Sequence, residues 1–179
     1  MDLQSGVWFL DAASGQSLTI VPVQTRSELL ALWDLDVAAY GEDVLPWERL
    51  ARWHRAFATG LQMLVDGAGD VLGGVGIWPL YRDSYERLLR GELAEIELAM
   101  VDIDATMSSG YWYLSGVVVR ADVRRRGFGR ALMRVASQLA AGDEIGALVI
   151  SPQGRGLLET LGFAGGDERE GVRVYTVRA

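Results

Sequence analysis

The chain contains no cysteine, no lysine and no asparagine, and His54 is its only histidine. Without thiols there can be no disulfide, no thiolate nucleophile and no sulfur-ligated zinc or iron site. One imidazole excludes a multi-histidine metal centre and leaves His54 as the only base for a Ser-His-Asp triad. The missing lysine excludes a G-x-x-x-x-G-K-[ST] phosphate loop and Schiff-base chemistry. Both lysine and asparagine have A-rich codons, so a GC-rich coding sequence accounts for their loss. Long apolar runs are lacking too: the longest, Val71 to Tyr81, is too short to cross a bilayer. The opening residues carry Asp2 where a secretory signal needs positive charge. A net charge of −7 is not that of a general nucleic-acid binder. The sequence therefore predicts a cytoplasmic protein with no metal and neither nucleic acid nor membrane as partner.

What remains is an ordinary globular composition, with 50% hydrophobic and 23% charged residues in 179 positions. That length suits a single α/β domain over residues 1–179. Val7 to Leu10 and Ser17 to Val23 read as paired strands, and Arg26 to Tyr40 and Pro46 to Ala58 as helices. His54 falls on the apolar stripe of the second helix and reads as a packed residue; Trp47, Trp53 and Trp78 read as core. Leu61 to Val65 and Val71 to Trp78 flank Asp66-Gly67-Ala68-Gly69-Asp70, a hairpin pattern. Gly73, Gly74 and Gly76 within that second strand suggest a bulge or a close backbone approach. Arg82 onward is helical at first and then acidic, with Glu92, Glu95, Glu97, Asp102 and Asp104 close together. Ile96, Leu98 and Met100 alternate around Glu97 as they would in a strand. Tyr111 to Val119, apolar on both faces, predicts a central strand. After it come a helix over Gly127 to Ala141, a strand over Ala147 to Ile150, a short helix over Leu157 to Leu161 and a strand over Val172 to Val177.

The most informative segment joins the central strand to its helix. Six of the 17 arginines lie between Arg120 and Arg134 with only Asp122 opposing them, a window of +5 in a chain whose remainder is −12. The first amides of a helix have no intrahelical partner, and the helix end adds roughly half a positive charge. Gly127 and Gly129 have no side chains to keep an anion from those amides. Arg126, Arg130 and Arg134, four apart, could instead be a basic helix face, but that leaves Arg124, Arg125 and both glycines unexplained. The pattern predicts a diphosphate-sized anion site.

Here the sequence resembles the GNAT superfamily of N-acetyltransferases. The family's acetyl-CoA motif R/Q-x-x-G-x-G/A is matched by Arg124-x-x-Gly127-x-Gly129, and Leu157-Leu158-Glu159-Thr160-Leu161-Gly162-Phe163 is similar to its L-Y-E-K-L-G-F. The resemblance implies a mixed, mostly antiparallel sheet flanked by helices, with a splayed parallel strand pair forming the coenzyme cleft. It implies acetyl-CoA as co-substrate, with pantetheine along Val117, Val118 and Val119 and pyrophosphate on the amides and side chains of Arg124, Arg125, Arg126, Gly127, Phe128, Gly129 and Arg130. Gly116 would mark the bulge that opens the cleft. Ser151 stands where the family often has asparagine. The acceptor would be the amine of a small molecule or peptide, cationic in keeping with the acidic surface, attacking directly; a homodimer is open. Glu95, Glu97, Asp102 and Asp104 precede the strand where family members often draw a carboxylate base, and Glu97 is the candidate among them. The family's usual acid, a tyrosine, is replaced by Leu158, so Tyr113 or Tyr175 substitutes or the thiolate leaves unassisted. The alternative is a non-catalytic acyl-CoA-binding or sensor domain.

Overall fold

The computed structural model of the protein describes residues 6–11, 14–41 and 44–179. Its strands are β1 (Val7–Leu10), β2 (Ser17–Pro22), β3 (Leu61–Asp66), β4 (Val71–Pro79), β5 (Tyr111–Val119), β6 (Glu144–Val149), β7 (Ala164–Arg169) and β8 (Val172–Arg178). Its helices are α1 (Arg26–Tyr40), α2 (Trp47–Ala56), α3 (Arg82–Leu89), α4 (Phe128–Leu139) and α5 (Pro152–Thr160). The strands form one sheet in the order β1-β2-β3-β4-β5-β6-β8-β7. Every pairing is antiparallel except β5 with β6.

Local chemistry explains most boundaries. Thr25 and Glu28 form a reciprocal capping box that starts α1, with Glu28 N–H on Thr25 Oγ1 at 3.2 Å and Thr25 N–H on Glu28 Oε2 at 2.8 Å. In the β3–β4 hairpin, Asp66 Oδ1 accepts from the N–H groups of Ala68 and Asp70 at 2.9 and 3.0 Å. His54 is packed as expected, its Nε2 lying 2.9 Å from Val23 O. Trp53 and Trp78 meet edge to face in the core at 5.3 Å.

Adjacent glycines let helices press on both faces of the sheet. A Cβ on Gly73 would meet Leu132 of α4, whereas one on Gly74 would run into Leu32 Cδ1 of α1. This is the close approach that glycines inside a strand signal.

Two expectations need correction. Residues 96–100 are not a strand: Glu95–Glu97 and Met100–Asp102 form separate 3₁₀ turns, and both Ile96 and Met100 are exposed. The alternation had no sheet to face, because β4 already has β3 and β5 as neighbours. β7 was not foreseen, since Ala164–Arg169 is polar and exposed throughout. A two-residue turn makes it, with Glu170 at φ 50° and Gly171 at φ 83°, backbone angles that suit a tight hairpin.

Candidate active site

The site begins where two parallel strands part. β5 and β6 pair from Tyr111↔Glu144 to Leu114↔Ala147 and no further. At that point the β4–β5 register slips between Gly76↔Gly116 and Ile77↔Leu114, leaving Ser115 as the extra residue. The bulge is therefore at Ser115, one position before the Gly116 expected from the sequence. Trp78 Nε1 donates to Ser115 Oγ at 2.9 Å and holds it in place.

Beyond the bulge the ladder defines which edge is open. Arg120 N–H donates to Leu72 O at 2.8 Å, and Gly74 pairs with Val118. Backbone groups alternate sides in an antiparallel ladder, so residues 116, 118 and 120 face β4 while 117 and 119 face the gap beside β6. In that gap Tyr40 Oη donates to Val117 O at 2.8 Å, and Arg124 Nε donates to Val119 O at 2.9 Å.

The gap leads to the head of α4. Arg125 has φ 65° and Gly127 φ 85°, which turns the chain sharply and aims successive amides outward. Among the described residues, no close hydrogen bond is made by any backbone N–H from Arg125 to Arg130, a run of six donors in which only that of Arg126 closes a loose turn over Arg124 and Arg125. Ala131 N–H is the first to bond within the turn, to Gly127 O at 3.1 Å. A Cβ at Gly127 would meet nothing within 4 Å, so this glycine keeps the approach to the amides open. Phe128, Leu132, Met133 and Ala136 anchor the helix in the core. Charge-assisted bonds to such donors contribute about 1.5–3 kcal/mol each. The residues thus fit a diphosphate.

The arginines divide into two groups. Arg126 pairs with buried Asp11 at 3.2 Å, and Arg120 with Asp122 at 2.7 Å. Arg125 and Arg130 are exposed beside the amides. Ser151, at the end of β6, is the N-cap of α5, its Oγ accepting from Gly154 N–H at 3.1 Å. Leu158 is a core residue. Tyr175 is buried with its hydroxyl donated to Glu159 Oε1 at 2.8 Å.

On the α1 face, next to the bulge, lies a cavity of about 60 Å³. Apolar side chains from α1, α2 and β3 wall it, and its polar groups come from Asp36, Tyr40, Glu95 and Ser115. Burial pushes the Asp36 carboxyl up to about 7. Burial likewise raises Glu95 to about 7, against a hydrogen bond from Tyr113 that lowers it and with a further push from the charge of Asp36. The Tyr113 phenol, fully buried, is driven well above its ordinary value by burial and by the Glu95 charge.

The structure sorts the acidic cluster by what each member does. Glu97 is exposed, and its carboxylate accepts from Ala94 N–H at 2.8 Å, tying off its own turn outside the cavity. Asp102 accepts from Ser84 Oγ at 2.6 Å and from Ala99 N–H at 2.7 Å. Asp104, completely buried, takes bonds from Thr106, Ser108 and Ser109. Only Glu95 enters the cavity, and Arg49 Nη1 on Leu98 O at 2.6 Å ties its loop to α2. Asp36, Tyr40 and Trp33 were not foreseen as site residues. Their signal was a pair of acids, Asp34 and Asp36, in an otherwise apolar stretch of α1; Asp34 is exposed, whereas Asp36 lines the cavity.

A sheet split at its one parallel pair, with an amide-lined turn closing the split, defines the fold class of the GNAT acyltransferases. The chain belongs to the acetyltransferase (GNAT) family, whose model matches residues 29–163. It is similar in structure to the GphF GNAT-like decarboxylase in complex with isobutyryl-CoA, at 16% identity over 89% of this chain and 98% of that chain, with a TM-score of 0.68. It is similar also to the NatC complex bound to Gag peptide and CoA, at 13% identity over 90% and 98%, with a TM-score of 0.63. A GNAT-family acetyltransferase from Staphylococcus aureus Mu50 matches at 11% identity over 90% and 98%, with a TM-score of 0.63. At these identities the likeness is one of fold. No curated protein matches the chain. No helix among the described residues is long and apolar enough to cross a membrane.

Proposed function

We propose that the protein transfers an acetyl group from acetyl-CoA to a primary amine of a small-molecule or peptide acceptor, by direct attack and without a covalent enzyme intermediate. The observation that carries this reading is the continuity of three features: the amide nest at Arg125–Arg130, the unpaired edge of β5 at Val117 and Val119, and the carboxyl-lined cavity at Ser115. Acetyl-CoA supplies a thioester whose carbonyl carbon is open to a nitrogen nucleophile. The nest and the free guanidinium groups of Arg125 and Arg130 bind its diphosphate, and the β5 edge orients its pantetheine. The N–H of Val117, which faces the gap, then polarises the thioester carbonyl.

Glu95 takes the role expected of Glu97. An ammonium must lose a proton before it can attack, and a base poised near neutrality does this best. Burial poises Glu95 there, and Tyr113 fixes its orientation. Asp36 across the cavity adds a second site of negative charge, which favours a cationic acceptor. The same pair of carboxyls disfavours an anionic acyl substrate, so the decarboxylase among the structural neighbours is the weaker guide to the reaction.

The burial of Leu158 where a thiolate-protonating tyrosine would otherwise stand favours one alternative, a coenzyme-binding domain without turnover. Release of free CoA, followed with a thiol reagent over a panel of mono-, di- and polyamines, separates the two. Transfer predicts amine-dependent thiol release that drops by about 10²–10⁴ in Glu95→Gln, the usual scale of general base catalysis. Binding of acetyl-CoA with no amine-dependent release leaves only the binding domain.

A further inference from the structure

We propose that Tyr40 is the acid that protonates the departing sulfur, in place of the tyrosine this chain lacks at Leu158. This rests on the acetyl-transfer reading above. Three observations carry it. First, Tyr40 is the one phenol that belongs to both halves of the site: its hydroxyl lies 2.8 Å from Val117 O on the open edge of β5, and its side chain also lines the cavity. Second, the direction of the cleft places the sulfur there. The diphosphate end is at Arg125–Arg130, beyond the last residue of β5, so an extended arm runs back past Val119 and Val117 toward Ser115. Its reactive end therefore arrives beside Tyr40. Third, the other tyrosines near the cleft have duties elsewhere: Tyr113 is sealed in the core on Glu95, and Tyr175 is held by Glu159.

The resting hydrogen bond supplies a trigger. Val117 O faces the gap and is satisfied by Tyr40 only while nothing else lies along the strand. An amide N–H of the pantetheine arm takes over that carbonyl, which frees the phenolic proton for a new acceptor. Attack then proceeds with full balance. The ammonium first loses one proton through Glu95 to water; the neutral amine nitrogen then forms its bond to the carbonyl carbon and gives a second proton to the Glu95 carboxylate, the C–S bond breaks, and the sulfur receives the proton of Tyr40 Oη. Proton exchange with water returns Glu95 and Tyr40 to their starting forms. The groups facing the phenol are Asp36, one helical turn earlier on α1, Arg124 from the loop after β5, and Glu95 across the cavity. Burial and the Asp36 charge keep the phenol protonated through neutral pH, while the guanidinium of Arg124 eases the charge it carries after donation.

The test pairs binding with turnover in Tyr40→Phe. Titration calorimetry with CoA and with desulfo-CoA, at a pH above the ordinary thiol value of about 8.5, reads the contact with sulfur directly. A phenol donating to a thiolate is a charge-assisted bond, so Tyr40→Phe should weaken CoA about tenfold and leave desulfo-CoA within about twofold. In turnover, kcat should fall about 10–100-fold with the KM for acetyl-CoA within about threefold. Equal effects on CoA and desulfo-CoA mean that Tyr40 merely caps Val117, and overturn the proposal. So does an unchanged kcat. If the unaltered protein binds neither compound, the coenzyme reading itself fails, a result distinct from either of these.

Discussion

Gly76 and Ser115 face each other across the β4–β5 pair so closely that a Cβ on Gly76 would lie 2.5 Å from Ser115 Oγ. The bulge that opens the cleft and the glycine opposite it are thus one device. Gly76→Ala would force the serine hydroxyl to rotate away, leaving Trp78 Nε1, on a fully buried ring, without its acceptor. An unsatisfied buried donor costs about 1–3 kcal/mol, and the loss should appear in urea melts. The Gly76→Ala/Ser115→Ala double variant should be less destabilised than the sum of the singles, because the second change removes the atom that clashes. Strict additivity would show that the two residues do not constrain each other.

The raised carboxyl of Glu95 makes fold stability depend on pH in a definite direction. In the folded state it holds its proton up to about 7, whereas its ordinary value is 4.5. Between these limits the folded protein binds more protons than the unfolded chain, so stability contributed here falls as pH rises from about 4.5 to about 7. Glu95→Gln removes that cost. It should stabilise the protein by on the order of 1–3 kcal/mol above neutrality and change little in the acid range. A difference that is the same at both ends of the range would mean that Glu95 is not buried as a free acid.

Asp104 behaves in the opposite sense. Burial works against its charge, but hydrogen bonds led by those from Thr106 and Ser109 hold its carboxyl below the ordinary value. Its contribution is present above about 3.8 and lost as pH falls through the lower folded value. Asp104→Ala strands several loop N–H groups and should cost about 2–4 kcal/mol, while kcat per folded molecule stays near that of the unaltered protein. A selective fall in kcat would return Asp104 to the list of reacting groups.

The turn proposed to hold the coenzyme was legible as a turn because it is built from main chain. Arg124-x-x-Gly127-x-Gly129 encodes a turn whose left-handed backbone at Gly127 favours glycine, with aspartate among the few other residues that adopt it, and local spacing is enough to reveal such a turn. The strands and helices carried by strong apolar periodicity, such as β5 and α4, were legible for the same local reason. The cavity proposed for the acceptor was not. Glu95 and Glu97 sit two apart in one acidic run, and which of them turns inward depends on a 3₁₀ turn, on Arg49 reaching Leu98 O, and on Tyr113 waiting beneath. Asp36 and Tyr40 lie on a helix more than fifty residues upstream of the residues they join. Nothing in the order of the chain announces that meeting. β7 escaped because a hydrophilic edge strand is specified by its turn and its partner, and its own composition carries no strand signal.

The amides from Arg125 to Arg130 are proposed to hold the diphosphate of a CoA thioester, and titration calorimetry with Gly127→Asp probes that contact. The side chain at position 127 would project into open space beside those amides, and its carboxylate would take the place of the anion. The unaltered protein should bind CoA at least about tenfold more tightly than ATP, which has the phosphates without the pantetheine, and Gly127→Asp should weaken CoA by at least about 100-fold, the loss of two charge-assisted bonds, while circular dichroism shows an intact fold. A folded Gly127→Asp protein that keeps its affinity, or a parent protein that prefers ATP, would contradict that contact.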